Sequence, residues 1–575
     1  MNNQQVAHVF ATIAQILEIK GENIHKVLAY RRAAENIDVL GQDINELWRA
    51  AELTSIPGIG KAIAAKIDEL LRTGRLEFLE RLSAEVPAGV VEMLGIPDVG
   101  PKTAARLWQE LGLTSIEDVE RAARAGKIRT LPRMGAKTEA KILSGIKALQ
   151  RRSGRTLLGV AWPLAAAMLD ELTALPGVTA GSVAGSLRRM RDTIGDIDLL
   201  IAAPAGDVEA IMAHLREVPQ VYEVLVSGAT KTSIRTHDGV QVDLRVLDPT
   251  RWGTALQYFT GSQAHNVRLR ERARKQGLSL SENSFKREDG SEILCAEEAE
   301  VYAILGLPWI PPELREDRGE FDGPLPELIT MEDVRGDLQM HSTWSDGANT
   351  IDEIAQAALA RGLSYILLTD HSQSLGIAGG LSTEDLRRQR AEIDAVNERL
   401  GGKLRVLAGV EVEIKSDGSL DYPDEVLAEL DLVIASLHTG LRSGRAKTTE
   451  RMLAAIRNPH VDIIAHPTGR LIGQREGADL DIEAIFQAAA ATGTALEINA
   501  DTHRLDLSDV HARRAVELGV KLTLGSDAHE ASHVGGLVYG VATARRGWVT
   551  AADVINTWPL DKVLAWANRT RRART

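Results

Sequence analysis

Cysteine is almost absent. Cys295 is the only one in 575 residues, which excludes an intramolecular disulfide framework. No apolar run is long enough to cross a bilayer, so no membrane span is expected. The N-terminal stretch MNNQQVAHVFATIAQILEIKG has neither a basic leader nor a small-residue cleavage site, and its apolar positions fit a helix better than a signal peptide. These absences lead us to expect a cytoplasmic protein. Positive charge is also short overall. A formal net charge of -13 argues against a protein that coats nucleic acid generally, although a net value averages over domains and hides patches. Between Arg129 and Arg155 it is acid that is scarce: Glu139 stands alone among Arg133, Lys137, Lys141, Lys147, Arg151 and Arg152. Such a run meets phosphates or is merely a solvated helix face. Apolar content is ordinary at 44%, and the length calls for roughly three or four folding units.

Three similar segments recur before residue 155: SIPGIGKAIAAKI from Ser55, GIPDVGPKTAARL from Gly95 and TLPRMGAKTEAKI from Thr130. Each is a Pro-x-x-Gly turn opening an Ala-rich helix. The glycine allows a tight turn that leaves backbone N–H groups free at a helix N-terminus, where the dipole favours an anion. Gly58, Gly60, Gly100 and Gly135, with Lys102 and Lys137 just beyond, are the expected phosphate contacts; they would grip a backbone without reading its sequence. One copy would say little, because Pro and Gly punctuate any helical protein. Three copies resemble helix-hairpin-helix elements, which bind DNA backbones non-specifically.

From Val183 the chain reads VAGSLRRMRDTIGDIDLLIAAP. A strand turns alternate side chains to one face, so Asp196 and Asp198 share the exposed face while Ile197 and Leu199 point into the core. Two carboxylates that close repel unless a cation lies between them, and Mg²⁺ or Mn²⁺ suits hard oxygen donors that meet phosphates. Asp243, in VQVDLRVLDP, supplies a third carboxylate. Gly185, Ser186, Arg188 and Arg189 upstream, and Gly195 beside the aspartates, suit a triphosphate. For the aspartates alone the bland alternative is a solvated strand edge or turn.

The order of these motifs resembles X-family DNA polymerases, over most of residues 1 to 316. GENIHKVLAYRRAAENI followed by the first hairpin is similar to the family's N-terminal lyase domain. By that resemblance Lys66 is the amine that attacks an abasic sugar at C1′, with Lys61, Lys26 and Arg31 as neighbouring cations, and His25, Lys26 and Tyr30 contact the 5′ side of a gap. Ala62 departs from the pattern, since the vertebrate repair enzyme has a second phosphate-binding lysine there. Further on, YFTGSQAHN followed by VRLR resembles the family's passage from palm to thumb. It implies that Tyr258 and Phe259 flank the incoming sugar, that Gly261 lets the backbone pass close to it, that Ser262 belongs to the same nucleotide site, that Asn266 bonds the minor-groove edge of the base, and that Arg270 contacts the template. Two ions on the aspartates would activate a primer 3′-OH and steady the departing pyrophosphate.

ELREDRGEFDGPLPELITMED, from Glu313, is acidic and broken by Pro and Gly, and reads as an interdomain linker. Only five of the 14 histidines precede it. Beyond it six short apolar runs, YILLTDH, LRVLAGVEVEI, LDLVIASLH, VDIIAHP, TALEINAD and VKLTLGSDAH, end in ligand types and are separated by Ala-rich helical stretches. Alternating strands and helices suggest parallel strands whose C-termini gather at one barrel mouth. That mouth would collect His371, Glu411, His438, His466, Asp527 and His529, and DLQMHSTWSDG adds His341 and Asp346. A lone His at a strand end is more often a core residue; eight convergent ligands call for two or three Zn²⁺ or Mn²⁺ ions. His460, His503, His511 and His533 receive no role.

The series HxT…SDG, TDHS, GVE, SLH, AHP and SDAH resembles the polymerase-and-histidinol-phosphatase (PHP) domain, with one departure: Gln339 stands where such sequences commonly carry the first His of His-x-His. The resemblance implies a metal-dependent 3′–5′ exonuclease with abasic-site endonuclease and 3′-phosphatase chemistry.

We therefore expect a multidomain chain of α+β and α/β parts. A lyase-like helical domain would span 1–90, a fingers-like hairpin region 91–155, a nucleotidyltransferase palm 156–260, a thumb 261–318, a linker 319–333 and a PHP-type distorted (β/α) barrel 334–575. The expected function is gap filling on gapped or nicked DNA with deoxynucleoside triphosphates, joined to 3′ processing and lyase activity. The rivals are a template-independent nucleotidyltransferase coupled to a PHP phosphatase, and a non-catalytic DNA-binding scaffold.

Overall fold

The computed structural model describes residues 1–575 apart from residues 2, 39, 41–43, 97–98, 132–133, 153–154 and 575. Arg133 of the basic run lies outside the described residues, as do the side chains of Lys147, Arg151 and Arg152. The chain forms two compact units, one of Met1–Gly154 with Gly376–Gly379, the other of the remainder. Among the described residues no helix is long and apolar enough to cross a membrane.

The first unit is helical. In its opening helix, Asn3–Ile19, the buried Val6, Phe10, Ile13 and Leu17 recur at the spacing of one helix face. The last glycine of each hairpin turn immediately precedes a helix: Gly60 before Lys61–Thr73, Gly100 before Pro101–Leu111 and Gly135 before Ala136–Arg152. A single apolar cluster runs from Val6 to Ile146. The regions expected as two domains, 1–90 and 91–155, therefore share one core.

The second unit begins with a five-stranded sheet. Its strands are β1 (Ala180–Val183), β2 (Ile197–Ala202), β3 (Val221–Ser227), β4 (Lys231–Thr236) and β5 (Gln241–Leu247), in the order β1-β2-β5-β4-β3. β2 and β5 run parallel, and the other neighbours are antiparallel. Helices Leu158–Thr173 and Val208–Glu217 pack their apolar faces on this sheet, in a cluster that also takes in Leu505 and Ala542 from the C-terminal part.

That part is a barrel. Its strands are β6 (Gly336–Asp337), β7 (Tyr365–Leu368), β8 (Arg405–Ala408), β9 (Glu411–Glu413), β10 (Ile434–Ser436), β11 (Ile463–Ile464), β12 (Ala495–Asn499) and β13 (Leu522–Gly525). All pair in parallel, β6 to β8 in one sheet and β9 to β13 in another. Parallel bridges His371–Glu411 and Met340–Ala528 join the two sheets into a closed ring.

The acidic stretch expected as a linker is packed. Glu320 is buried against His265, and Leu328 and Ile329 are buried as well. The reason is local chemistry: His265 is fully buried, with Nδ1 2.9 Å from Glu320 Oε1 and Nε2 3.0 Å from Tyr302 Oη, so both ring nitrogens find partners.

Candidate functional site

Among the described residues, two clusters of ligand-bearing side chains occur in the second unit. In the first, strand register makes Asp198 of β2 and Asp243 of β5 direct partners, and Asp196 precedes β2. One oxygen from each of the three carboxylates lies within 4.8 Å of the others. Burial, together with the charges of Asp196 and Asp243, pushes Asp198 up to about 7. Burial also acts to raise Asp243, but hydrogen bonds from Lys231, Gln241 and Ser233 prevail and hold it below the usual carboxylate range. Lys231 Nζ lies 2.6 Å from Asp243 Oδ2, and Gln241 Nε2 donates to Oδ1 at 3.0 Å. Three crowded carboxylates offering only oxygen form a donor set that fits a hard divalent cation, whose charge relieves the repulsion that raises Asp198.

The backbone beside this trio leaves no room for a side chain. Gly185 has φ +58°, and a Cβ there would stand 2.1 Å from Asp198 Oδ2. Ser186 follows in the same short helical turn, Gly185–Arg188, and Gly195 lies one residue before Asp196. The two arginines expected at a triphosphate are engaged elsewhere. Arg188 makes a two-pronged pair with Glu298, at 2.7 and 2.9 Å, and Arg189 donates to Glu316 Oε1 at 3.1 Å and to the Thr260 carbonyl at 2.5 Å.

Tyr258 and Phe259 meet edge to face at the end of helix Trp252–Thr260, and the Arg245 guanidinium lies 4.4 Å above the Phe259 ring. Gly261, at φ +68°, ends that helix, and Ser262 Oγ caps the next, Gln263–Lys275, by accepting from the His265 amide. Asn266 donates from Nδ2 to the Tyr258 carbonyl and accepts from Gln257 Nε2, both at 2.7 Å. Its amide is therefore fixed by the protein rather than free, and Arg270 Nε is tied to the Asn266 carbonyl at 3.3 Å.

The second cluster fills the barrel mouth. Three overlapping groups, His341/Asp346/His371/His529, His371/Glu411/His438 and His341/Glu411/Asp527, each bring ligand atoms within 4.8 Å of one another. Glu411 is the hub: Oε1 is 2.9 Å from His466 Nε2 and 3.3 Å from His438 Nε2, and Oε2 is 3.4 Å from His341 Nε2. Burial opposes protonation of the rings, yet neighbouring carboxylates outweigh it and push His371 to about 9 and His529 to about 10. Asp346 and Asp527 are held well below the usual range, because histidine contacts overcome the cost of burial. His341 Nδ1, His466 Nδ1 and Gln339 Oε1 are buried with no hydrogen-bond partner. A mixed nitrogen and oxygen set with orphaned ring nitrogens fits borderline divalent ions such as zinc or manganese. His466 and Asp527 adopt positive φ, +26° and +54°, strain of a kind that persists where surrounding structure imposes it.

In the first unit, Lys66 Nζ lies 5.0 Å from the centroid of the Phe78 ring, Lys26 Nζ 5.9 Å and the Arg81 guanidinium 5.3 Å, and Tyr30 stacks on the same ring at 5.7 Å. Lys66, Lys26 and Tyr30 thus converge, whereas His25 is exposed and Arg31 is paired with Glu18. Gly58 requires its φ of +77°, and a Cβ on Gly60, Gly100 or Gly135 would meet nothing. Lys102 and Lys137 are exposed, each two residues past its glycine, Gly100 and Gly135.

Family models match in the same order: a helix-hairpin-helix domain over residues 1–76, a SAM-like helix-hairpin-helix tandem over 90–148, the DNA polymerase beta thumb over 255–316 and a PHP domain over 337–501. The DNA polymerase/3′-5′ exonuclease PolX of Bacillus subtilis (strain 168) is 39% identical over 99% of this chain and 100% of its own length. The chain is a bacterial X-family DNA polymerase with a C-terminal PHP domain. A probable phosphatase of Thermoanaerobacter sp. (strain X514) is 32% identical over 38% of this chain and 89% of its own length. DNA polymerase lambda of Rattus norvegicus is 26% identical over 55% of this chain and 56% of its own. Divalent metal dependence goes with both halves of such a polymerase.

Several neighbours of the barrel mouth in this polymerase were not singled out in the sequence. Asp370, within TDHS, accepts from the Ser342 amide at 2.8 Å and from the hydroxyls of Ser342 and Ser345 at 2.7 and 2.5 Å, fixing the turn between His341 and Asp346. Glu413 holds His438 Nδ1 at 2.9 Å, Asn499 Nδ2 donates to Asp527 Oδ2 at 3.0 Å, and Arg504 Nε stands 3.5 Å from the same oxygen. Only Glu413, two residues beyond Glu411 on the same strand face, had a period-two pattern that could have revealed it.

Proposed function

We propose that this X-family polymerase fills short gaps on gapped or nicked DNA by template-directed transfer of deoxynucleotides, and removes or cleans 3′ ends at its PHP centre. The observation that carries the proposal is the pair of chemically distinct sites in one chain: an all-oxygen trio beside Gly185 and the Tyr258–Asn266 segment, and a histidine-rich mouth on a closed barrel. Asp196, Asp198 and Asp243 would hold Mg²⁺ or Mn²⁺. Tyr258, Phe259, Gly261, Ser262 and Asn266 would shape the nucleotide pocket, with Gly185, Ser186, Arg189 and Gly195 on its phosphate side and Arg270 toward the template. His341, Asp346, His371, Glu411, His438, His466, Asp527 and His529 would hold two or three Zn²⁺ or Mn²⁺ ions, which supply Lewis acidity toward phosphorus when bound. Exonuclease, abasic-site endonuclease and 3′-phosphatase activity all need this one chemistry. Hairpin glycines Gly58, Gly60, Gly100 and Gly135, with Lys102 and Lys137, would hold DNA phosphates. Lys66 is assigned to lyase chemistry, with His25, Lys26 and Tyr30 on the gap's 5′ side. We place the protein in the cytoplasm.

The test is a labelled primer on gapped DNA with Mg²⁺ or Mn²⁺, with and without nucleotides. Asp243→Ala should abolish extension and keep shortening. Asp527→Ala and His466→Ala should lose Mn²⁺-dependent shortening by orders of magnitude, lower the bound-metal count and keep extension. Undiminished extension in the first, or full shortening with unchanged metal in the other two, would remove those residues from the mechanism.

A further inference from the structure

Where the palm meets the barrel, one carboxylate oxygen serves three arginines. Glu316 Oε1 lies 3.1 Å from Arg189 Nε, 3.2 Å from Arg546 Nη1 and 3.7 Å from Arg191 Nη1. Arg546 belongs to the barrel helix Val538–Arg546. Its Nη1 also donates to the Arg189 carbonyl at 2.8 Å and its Nη2 to Asp509 Oδ2 at 2.8 Å, an oxygen that Arg318 Nη1 reaches at 2.9 Å. These groups are largely withdrawn from water: the Arg546 side chain is 4% exposed, those of Arg189 and Glu316 13% each. Four guanidiniums thus share two carboxylates, which leaves the junction short of negative charge.

Arg189 sits at the edge of the nucleotide pocket. Its Nη1 donates to the Thr260 carbonyl, and a Cβ on Gly261 would stand 3.2 Å from that nitrogen. To turn toward a triphosphate it has to leave Glu316. A carboxylate withdrawn from water and left only the longer 3.7 Å contact to Arg191, whose side chain is 34% exposed, is unfavourable. Arg546 removes that obstacle, because it stays on Glu316 when Arg189 departs, and its bond to the Arg189 carbonyl holds the backbone in place meanwhile. The incoming phosphates then neutralise the charge that Arg189 brings.

We infer that Arg546, a residue of the PHP domain, is a positioning residue of the polymerase site: by remaining on Glu316 it allows Arg189 to exchange that carboxylate for the triphosphate of the incoming nucleotide. The inference rests on the assignment of Arg189 to the triphosphate. It gives the PHP domain a part in polymerisation that does not pass through its metal centre.

The experiment measures nucleotide KM and kcat in gap filling. Arg546→Met should raise KM on the order of tenfold with little change in kcat, because it affects binding before chemistry. Glu316→Gln should lower KM by releasing Arg189, and the double variant should return toward the wild-type value. A structural role alone would not yield rescue by a second substitution at the same junction. Wild-type KM in Arg546→Met, or a double variant no better than Arg546→Met, overturns the inference. Where Arg546→Met fails to fold, Glu316→Gln alone decides, and an unchanged or raised KM counts against it. Arg189→Ala separates the two ideas: an unchanged KM there sinks the triphosphate assignment itself, whereas a raised KM beside a silent Arg546→Met sinks only the role of Arg546.

Discussion

Gln339 donates from Nε2 to Glu411 Oε2 at 3.1 Å, and its own Oε1 is buried without a partner. The amide that replaces the first histidine of the PHP pattern therefore occupies a ligand's place while supporting the hub carboxylate.

Gln339→His should put a ring nitrogen where the orphaned oxygen now lies and tighten binding of one ion by about 10–100-fold, the range over which neighbouring groups tune such sites. Metal titration of the purified variant checks this. In the wild type, His371 and His529 are pushed to about 9 and about 10, so an entering ion has to displace their protons at neutral pH. Mn²⁺ affinity should fall as pH drops from about 9, and calorimetry in buffers of different ionisation heat should show proton release. No release would contradict the protonation of this cluster.

Lys231 keeps Asp243 ionised through a 2.6 Å ion pair, and a hydrogen bond to a charged group contributes about 1.5–3 kcal/mol. Lys231→Met should raise both Asp243 and Asp198, because the Lys231 charge helps to hold each of them down; it should therefore move upward the acid limb of the extension pH profile, which Asp198 sets, and reduce kcat by about tenfold or more. The sign follows from the lost cation: with Lys231 gone each carboxylate gives up its charged form at a higher pH as pH falls. An unmoved acid limb would show that Lys231 does not set this ionisation. Mn²⁺-dependent shortening, located in the barrel, should be unaffected.

Borohydride should trap the wild-type protein on DNA bearing a 5′-deoxyribose phosphate, and Lys66→Ala should trap far less. Phe78→Ala, which removes the ring beneath the Lys66 amine, should reduce trapping partially. Equal trapping by Lys66→Ala would move the nucleophile elsewhere, with Lys61 next to test.

Much of both candidate sites was legible because strand ends and alternation are local properties. Asp196 and Asp198 announce themselves two residues apart, and six of the barrel ligands lie in or at the ends of short apolar runs, so periodicity alone aims them at one face or one mouth. The hairpin glycines likewise mark helix starts without any tertiary knowledge. What the sequence determined, then, was which residues carry chemistry and on what kind of element. The tertiary structure alone decided their partners. The register of β2, β5 and β4 sets Asp243 opposite Asp198 and within reach of Lys231, and a register is a relation between distant segments that no single periodicity encodes. Burial of His265 drew Glu320 out of what read as a linker. Arg189 and Arg546, 357 residues apart in the chain, came to share Glu316, because the folded junction had to find acceptors for charges that composition could only count.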